Sequence, residues 1–260
     1  MSEQDRWGSP EARREQILVR LNEQDRTSVS ELSQSLGVSE VTVRKDLDQL
    51  EAQGMITRIH GGAVFSGRGR LELYFNAREQ IKREEKRRIA LAAADLVESG
   101  QTIFLDASTT AFQLARLIKD RRNLAVVTNG LYTALELTFV PDIRVVVVGG
   151  VVRRRSSSLV GGLSYDLLRR LHVDIGFFGA RGVTARAGLT EADLDEAQLK
   201  QHMVEASATV VGILDASKWG EAHLSTFALP TEIDRIITDT GAPADAVQEL
   251  RALGIAIDLV

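Results

Sequence analysis

Apolar positions recur along this chain at two different periods, and the change of period divides it. Over residues 13–50 the spacing is helical. Ile17, Leu18 and Leu21 form one stripe, Leu32 and Leu36 a second, and Val43, Leu47 and Leu50 a third. Residues three, four and seven apart share a helix face, so three short helices around a small core are predicted. Ser30 and Ser39 are placed to cap the second and third helices, with Glu40 in the positively polarised first turn of the third. Gly37 supplies the permissive turn between them, and Gly54 ends the third helix. The period then drops to two: Ile56, Arg58 and His60 alternate along a strand, and Gly61 with Gly62 makes a tight return. Two helices joined by a glycine turn and followed by a strand pair predict a winged helix-turn-helix over residues 9–65.

Residues 66–74 open with SGRGR and carry no apolar period, which reads as a linker. From residue 75 a second domain is expected to run to 260. Its first element is a long helix over 76–97 with Ile81, Ile89, Ala92, Ala93 and Leu96 inward. The KREEKRR run on that helix reads as a solvated face, or one that meets DNA or a partner subunit. Short β-branched runs at 102–106, 125–129, 144–150, 174–180, 209–215 and 235–239 then alternate with helical stretches. Such alternation predicts an α/β domain with a mostly parallel sheet. The run 256–260 closes it as an edge strand.

Composition changes little. At 260 residues the chain has room for two domains, and 44% hydrophobic with 26% charged residues is ordinary globular usage. No stretch approaches the roughly 18–20 apolar residues of a membrane span, and the first residues lack the apolar core of a secretion signal. The absence of cysteine excludes disulfides and thiolate sites. No metal or cofactor is expected, and a cytoplasmic protein is the default. Charge is more pointed. Residues 1–64 hold 8 Lys and Arg against 11 Asp and Glu, a formal −3, whereas nucleic-acid binders usually carry a basic footprint. A small basic face made by Arg44, Lys45 and Arg58 would answer the objection, and a twofold dimer would double it.

Candidate chemistry falls in two places. With Val43, Leu47 and Leu50 inward, Thr42, Arg44, Lys45 and Asp48 face outward on the third helix. A helix so placed enters the major groove, where base edges present a unique donor and acceptor code. Thr42, Arg44 and Lys45 are the expected groove contacts, Ser39 a phosphate contact, and Arg58 a contact from the wing. A plain solvated face is the competing reading for Arg44 and Lys45, and a turn residue without a role is the reading for His60. The second place is the set of strand ends: Asp106 to Thr110, Asn129, Gly149, Arg181 and Lys218 all fall at carboxyl ends. These ends share one edge of a parallel sheet, where ligands bind. Ser108, Thr109 and Thr110 lead straight into a helix, an anion site made of amides, hydroxyls and the helix dipole. Asp106 would repel phosphate and suits sugar hydroxyls or the fixing of its loop. Arg181 and Lys218 are the expected cations; a solvated loop charge is the competing reading for Lys218, and strand-helix capping that for Asp106 and Thr110. Glu196 and Lys200 stand one helical turn apart, the spacing of a surface ion pair.

The stretch VSEVTVRKDLDQLEAQGMITRIHGGAV resembles, without a gap, the signature of the DeoR family of bacterial transcriptional regulators. FLDASTT, VVTNG, VVGG, GLTEADLDEAQLKQHM and LDASKWG are similar to the successive blocks of the DeoR-type sensor domain. The resemblance implies a sensor domain like the sugar-phosphate isomerases in fold, binding a phosphorylated sugar or related metabolite. It implies effector roles for Asp106, Ser108, Thr109, Thr110, Asn129, Glu196, Lys200 and Lys218. Three departures stand out: Lys45 where a second arginine is frequent, Ser108 where the family often has glycine, and Trp219 for a frequent phenylalanine. Lysine lacks the bidentate guanidinium fork.

The expected whole is a repressor of carbohydrate-metabolism genes. It would hold double-stranded operator DNA as a homo-oligomer and be modulated by a phosphorylated sugar, with no membrane partner and no catalytic residue. The alternative is a sugar-phosphate isomerase-like enzyme fused to a DNA-binding module, with Asp106, Glu196 and Lys218 as acid and base groups. No compact acidic motif around Gly179 supplies the base that an enediol route needs. A ligand-free architectural protein would leave the polar strand ends unexplained.

Overall fold

The computed structural model describes residues 10–24, 26–52, 55–65 and 75–260. Gly54 and the linker 66–74 lie outside the described residues. The chain forms two compact units, Met1–Ile81 and Lys82–Val260.

The first unit runs α1 (Pro10–Gln24), β1 (Arg26–Ser28), α2 (Val29–Leu36), α3 (Glu40–Ala52), β2 (Ile56–Ile59), β3 (Gly62–Phe65) and α4 (Phe75–Gln80). The apolar stripes of all three predicted helices meet in one core with Met55, Ile56 and Ala63. Gly37 closes α2 in the left-handed conformation at φ 63°, the backbone state in which glycine has no Cβ penalty. The wing holds a strand the periodicity did not show: β1 pairs antiparallel with β3, which also pairs with β2.

The cap of α2 is Ser28, not Ser30. The Ser28 hydroxyl accepts the Glu31 amide at 3.1 Å while the Glu31 carboxylate accepts the Ser28 amide at 2.8 Å, a reciprocal capping box. Val29 thereby becomes a buried helical residue, and its amide donates to the Gly61 carbonyl at the wing turn, 2.8 Å away. Ser28→Ala should cost about 1 kcal/mol, measurable as a lower urea midpoint for the first unit.

Five of the eleven acidic residues of 1–64 are engaged inside this unit. Asp46 is buried and takes Arg13 at 2.5 Å and Arg14 at 3.7 Å, joining α3 to α1. Glu31 is a cap, Asp48 pairs with Arg58, Glu40 pairs with Arg44, and Glu51 accepts the Arg58 amide.

The single helix expected over 76–97 is two. Lys82, at φ 53°, interrupts it between α4 and α5 (Arg83–Ala94). The break follows from packing: α4 lies on α1 and Ile81 packs against the first unit's core, while Ile89, Ala90 and Ala93 of α5 belong to the second unit. Residues 75–81, assigned from the sequence to the second domain, thus pack with the first. Within the KREEKRR run Lys86 is buried rather than solvated.

The second unit continues β4 (Thr102–Leu105), α6 (Thr109–Leu117), β5 (Leu124–Thr128), α7 (Leu131–Leu137), β6 (Ile143–Val147), β7 (Val151–Arg153), β8 (Ser158–Val160), α8 (Tyr165–Leu168) and β9 (Val173–Phe178). It ends with β10 (Gly182–Thr184), β11 (Gly188–Glu191), α9 (Leu194–Glu205), β12 (Ser207–Ile213), β13 (Ser225–Ala228), β14 (Arg235–Thr238), α10 (Ala244–Ala252) and β15 (Ala256–Leu259). Seven strands form a parallel sheet in the order β15-β14-β12-β9-β4-β5-β6. Alternate residues sort to its two faces. Ile103, Leu105, Phe177, Val211 and Ile237 pack with α5 and α6, while Phe104, Phe178, Val210 and Ile236 pack with α9 and α10. Both faces are covered, which is why these strands read as near-continuous apolar runs. A small antiparallel sheet, β10-β11-β13, and the β7–β8 hairpin complete the unit. The predicted mostly parallel α/β architecture and the predicted edge position of 256–260 are both present.

Candidate functional site

The strand order locates the site. From β4 the chain moves outward through β5 and β6, then returns to lay β9 on the other side of β4. Such a reversal opens a crevice beyond the carboxyl ends of the two strands. Asp106 follows β4 and Gly179 follows β9, so both stand at the switch.

They are tied together there. Asp106, fully buried, accepts the Ser108 amide on Oδ1 at 3.0 Å and the Gly179 amide on Oδ2 at 2.9 Å. Lys200 reaches the same Oδ2 from α9 at 2.7 Å, donates to Glu191 Oε1 at 2.6 Å and to the Gly179 carbonyl at 2.9 Å. An ammonium has three donors, and all three of Lys200 are taken. Burial alone would disfavour this ammonium, but Asp106, Glu191 and Glu196 outweigh it, and its pKa is held above the ordinary lysine value. Gly179 is required by close approach, since a Cβ there would stand 2.4 Å from the Ser108 Cβ.

Around this centre the other predicted residues take definite positions. Ser108 caps α6 by accepting the Ala111 amide at 3.1 Å, with Thr109 and Thr110 buried in the first turn. Asn129 follows β5; its amide nitrogen donates to the Leu159 carbonyl at 3.2 Å, and its buried Oδ1 has no hydrogen-bond partner among the described residues. Arg181 follows β9, its Nε 3.9 Å from Glu191 Oε2. Lys218 lies half-buried in the turn after β12, beside Asp215. Burial pushes Asp215 up, but Lys218, Ser217 and Lys86 outweigh it and hold the carboxyl below the usual aspartate range.

The Glu196–Lys200 surface pair expected from spacing does not form. Both side chains are buried and point to different partners: Lys200 to Asp106 and Glu191, Glu196 to Arg153 of β7. Arg153 and Glu191 carry these contacts although neither is singled out in the sequence: Arg153 lies outside every family block, and Glu191 lies within GLTEADLDEAQLKQHM without an assigned role. Arg153 stands in an RRRSSS run that reads as exposed loop, and its two-residue spacing from Val151 is the one signal of a strand there.

On the first unit, Ser39 caps α3 by accepting the Thr42 amide at 3.2 Å, and the two hydroxyls meet at 2.9 Å. Arg44 and Lys45 are exposed, and Arg44 pairs with Glu40 at 2.8 Å along the same helix. Arg58 turns back onto α3, pairing with Asp48 and reaching the Arg44 carbonyl at 3.5 Å. It fixes the wing against the helix instead of projecting from it.

Among the described residues no helix is long and apolar enough to cross a membrane. A cavity of about 420 Å³ opens at the amino ends of β9 and β12, lined by Leu168, His172 and His202. It lies at the edge of the sheet opposite Asp106 and contains none of the predicted site residues.

Comparison with known proteins adds names to this geometry. Residues 13–68 match the model of the DeoR-like helix-turn-helix domain, and residues 81–240 that of the DeoR C-terminal sensor domain. An HTH-type transcriptional regulator, GolR, of Listeria innocua is 37% identical over 96% of this chain and 98% of its own. The glycerol-3-phosphate regulon repressor of Escherichia coli K12 is 30% identical over 94% of this chain and 96% of its own. A solved D-ribose-5-phosphate isomerase in complex with phospho-erythronic acid aligns over 53% of this chain and 54% of its own, at 15% identity and a TM-score of 0.41.

Proposed function

Because the chain belongs to the DeoR family, we propose that it is a DNA-binding transcriptional regulator that represses carbohydrate-metabolism genes and is released by a phosphorylated sugar. The observation that carries the effector half is the switch-point crevice. There Ser108, Thr109 and Thr110 present the start of α6 beside a buried Asp106–Lys200–Glu191 cluster. Amide donors and hydroxyls at a helix start suit a phosphate. Lys218 and Arg181 supply cations at the neighbouring strand ends, and the open Oδ1 of Asn129 suits a ligand hydroxyl. The name of the E. coli relative supports a small phosphorylated polyol or sugar as ligand.

The DNA half rests on α3, whose half-buried Thr42 and exposed Arg44 and Lys45 form the reading face, with Ser39 toward phosphate. Paired winged domains on a near-palindromic site require a homo-oligomer. The protein works in the cytoplasm, where its DNA is. Release requires the effector to bind the DNA-competent and DNA-incompetent arrangements with different affinity. The isomerase-like alternative is not favoured: Asp106 and Glu191 are counterions of Lys200 and Glu196 of Arg153, which suits binding rather than removal of a carbon-bound proton.

A thermal-shift series with glycerol 3-phosphate, ribose 5-phosphate and fructose 6-phosphate tests the reading. A ligand at about 100 times its dissociation constant stabilises by about 2.7 kcal/mol, a shift of several degrees. The same ligand should release the protein from its operator in a gel-shift assay. No shift with any phosphorylated sugar would overturn the effector half while leaving the DNA half standing.

A further inference from the structure

The β7–β8 hairpin is folded onto the strand ends beside Asn129. Ser158 bridges Gly130, the Leu131 amide donates to the Ser157 carbonyl at 3.0 Å, and the Leu159 amide donates to the Asn129 carbonyl at 2.7 Å. Arg153 stands opposite Ser158 in the hairpin register and carries its guanidinium to α9, pairing with Glu196 and, at 3.2 Å, with Asp193. It also donates to the Ser156 hydroxyl at 3.0 Å, which shares a 2.7 Å hydrogen bond with the Ser158 hydroxyl. Ser156 is 1% exposed, Ser158 0% and Glu196 7%. Elements are thus closed in a ring: β4 to α9 through Asp106 and Lys200, α9 to the hairpin through Glu196 and Arg153, and the hairpin to β5 through Ser158.

Burying this many polar groups is unfavourable unless each is satisfied, and a hairpin needs none of them merely to pack. Their chemistry indicates what they suit. Arginine only donates and carboxylate only accepts, whereas a hydroxyl does both. A guanidinium beside Glu196 and Asp193 therefore complements neighbouring hydroxyls of a polyol. Phosphate, which only accepts, would meet two carboxylates there. The Oδ1 of Asn129, with no partner among the described residues, is a further acceptor for a hydroxyl.

We infer that the β7–β8 hairpin is the specificity wall of the effector pocket, with Arg153, Ser156, Ser158 and Glu196 reading the hydroxyl-bearing end of the ligand while the start of α6 takes the phosphate. This rests on the effector function proposed for the crevice and adds the division of labour within it.

The test uses the full chain, its Arg153→Met and Arg153→Lys variants, and Arg154→Met as a control on the exposed neighbour. Calorimetric affinities are measured for glycerol 3-phosphate, ribose 5-phosphate, fructose 6-phosphate and inorganic phosphate. Arg153→Met should weaken the preferred sugar phosphate by about tenfold to a hundredfold, the range for removing hydrogen bonds to a charged group. It should also compress the differences among the three sugar phosphates and leave inorganic phosphate unchanged. Arg153→Lys should fall between, and Arg154→Met should match the parent. An undiminished preference in Arg153→Met overturns the assignment alone. An equal loss for inorganic phosphate also overturns it, by making Arg153 a general support of the fold; melting temperatures without ligand report that directly. A parent protein that binds none of the sugar phosphates overturns the effector function and this assignment with it.

Discussion

Lys200→Met is expected to lower the stability of the second unit by about 3–5 kcal/mol, the cost of breaking a buried ion pair by removing one partner. At roughly 2–4 °C per kcal/mol for a unit of this size, the melting temperature should fall by about 10 °C. The reason is asymmetry. Asp106 and Glu191 are both buried and both rely on the same ammonium, so one substitution strands two carboxylates. Neutralising them as well, in Asp106→Asn with Glu191→Gln and Lys200→Met, should recover much of the loss, because neither buried carboxylate is then left charged without its ammonium. The pH dependence has a defined sign. A group whose folded pKa is raised contributes fully below its unfolded value, about 10.4 for lysine, and loses that contribution only as pH climbs through the higher folded value. The contribution of the Lys200 charge to the parent should therefore stay level from about pH 6 to 9. A variant that melts within about 2 °C of the parent would show that Lys200 is not what holds Asp106 and Glu191 in place.

The second large effect falls on DNA. Arg44→Ala combined with Lys45→Ala should weaken operator binding by about 1–3 kcal/mol for each base partner removed, and flatten the dependence on salt by about one unit for each phosphate partner removed. Fluorescence anisotropy at several salt concentrations reads both. Stability should barely change, since both residues are exposed and the Arg44–Glu40 pair is an exposed helical one of at most about 0.5 kcal/mol. Arg58→Ala should behave differently. Its guanidinium joins the wing to α3, so affinity and stability should fall together. Operator binding that survives the double substitution would remove α3 as the reading face.

Much of this was legible from the chain because apolar period reports local structure directly. All seven parallel strands stand within a few residues of the runs that announced them, and the core faces of α2 and α3 match their stripes. What stayed hidden depends on distant partners. Nothing in the order of the runs says that β9 returns beside β4, yet that return brings Gly179 to Asp106. The short antiparallel strands, β10 with β11 and β7 with β8, are too brief for alternation to declare itself. The split between α4 and α5 is decided by which core claims Ile81 and which claims Ile89. Charged residues were the least readable. Lys86, Lys200 and Asp46 look like surface residues in sequence, and each is buried near opposite charge on another element. Of the residues that the family blocks implied, Asp106, Ser108, Asn129 and Lys218 follow strands and Glu196 and Lys200 stand on α9. Arg153, which holds Glu196, lies in no family block, and Glu191, which holds Lys200, lies in one without being singled out.

The internal neutralisation of the first unit has a consequence for how the protein finds its site. A chromosome offers roughly 10⁶–10⁹ competing sequences, so occupancy depends on discrimination and not on affinity alone. Asp46, Asp48, Glu31 and Glu40 are each committed to a neighbour, and the cations Arg13 and Arg58 are consumed with them. The positive charge left outside these pairs, Lys45 foremost, is small beside the footprint of a basic DNA-coating domain. Affinity for arbitrary DNA should then be low, so that non-operator competitor DNA displaces the protein from its operator poorly in the anisotropy assay.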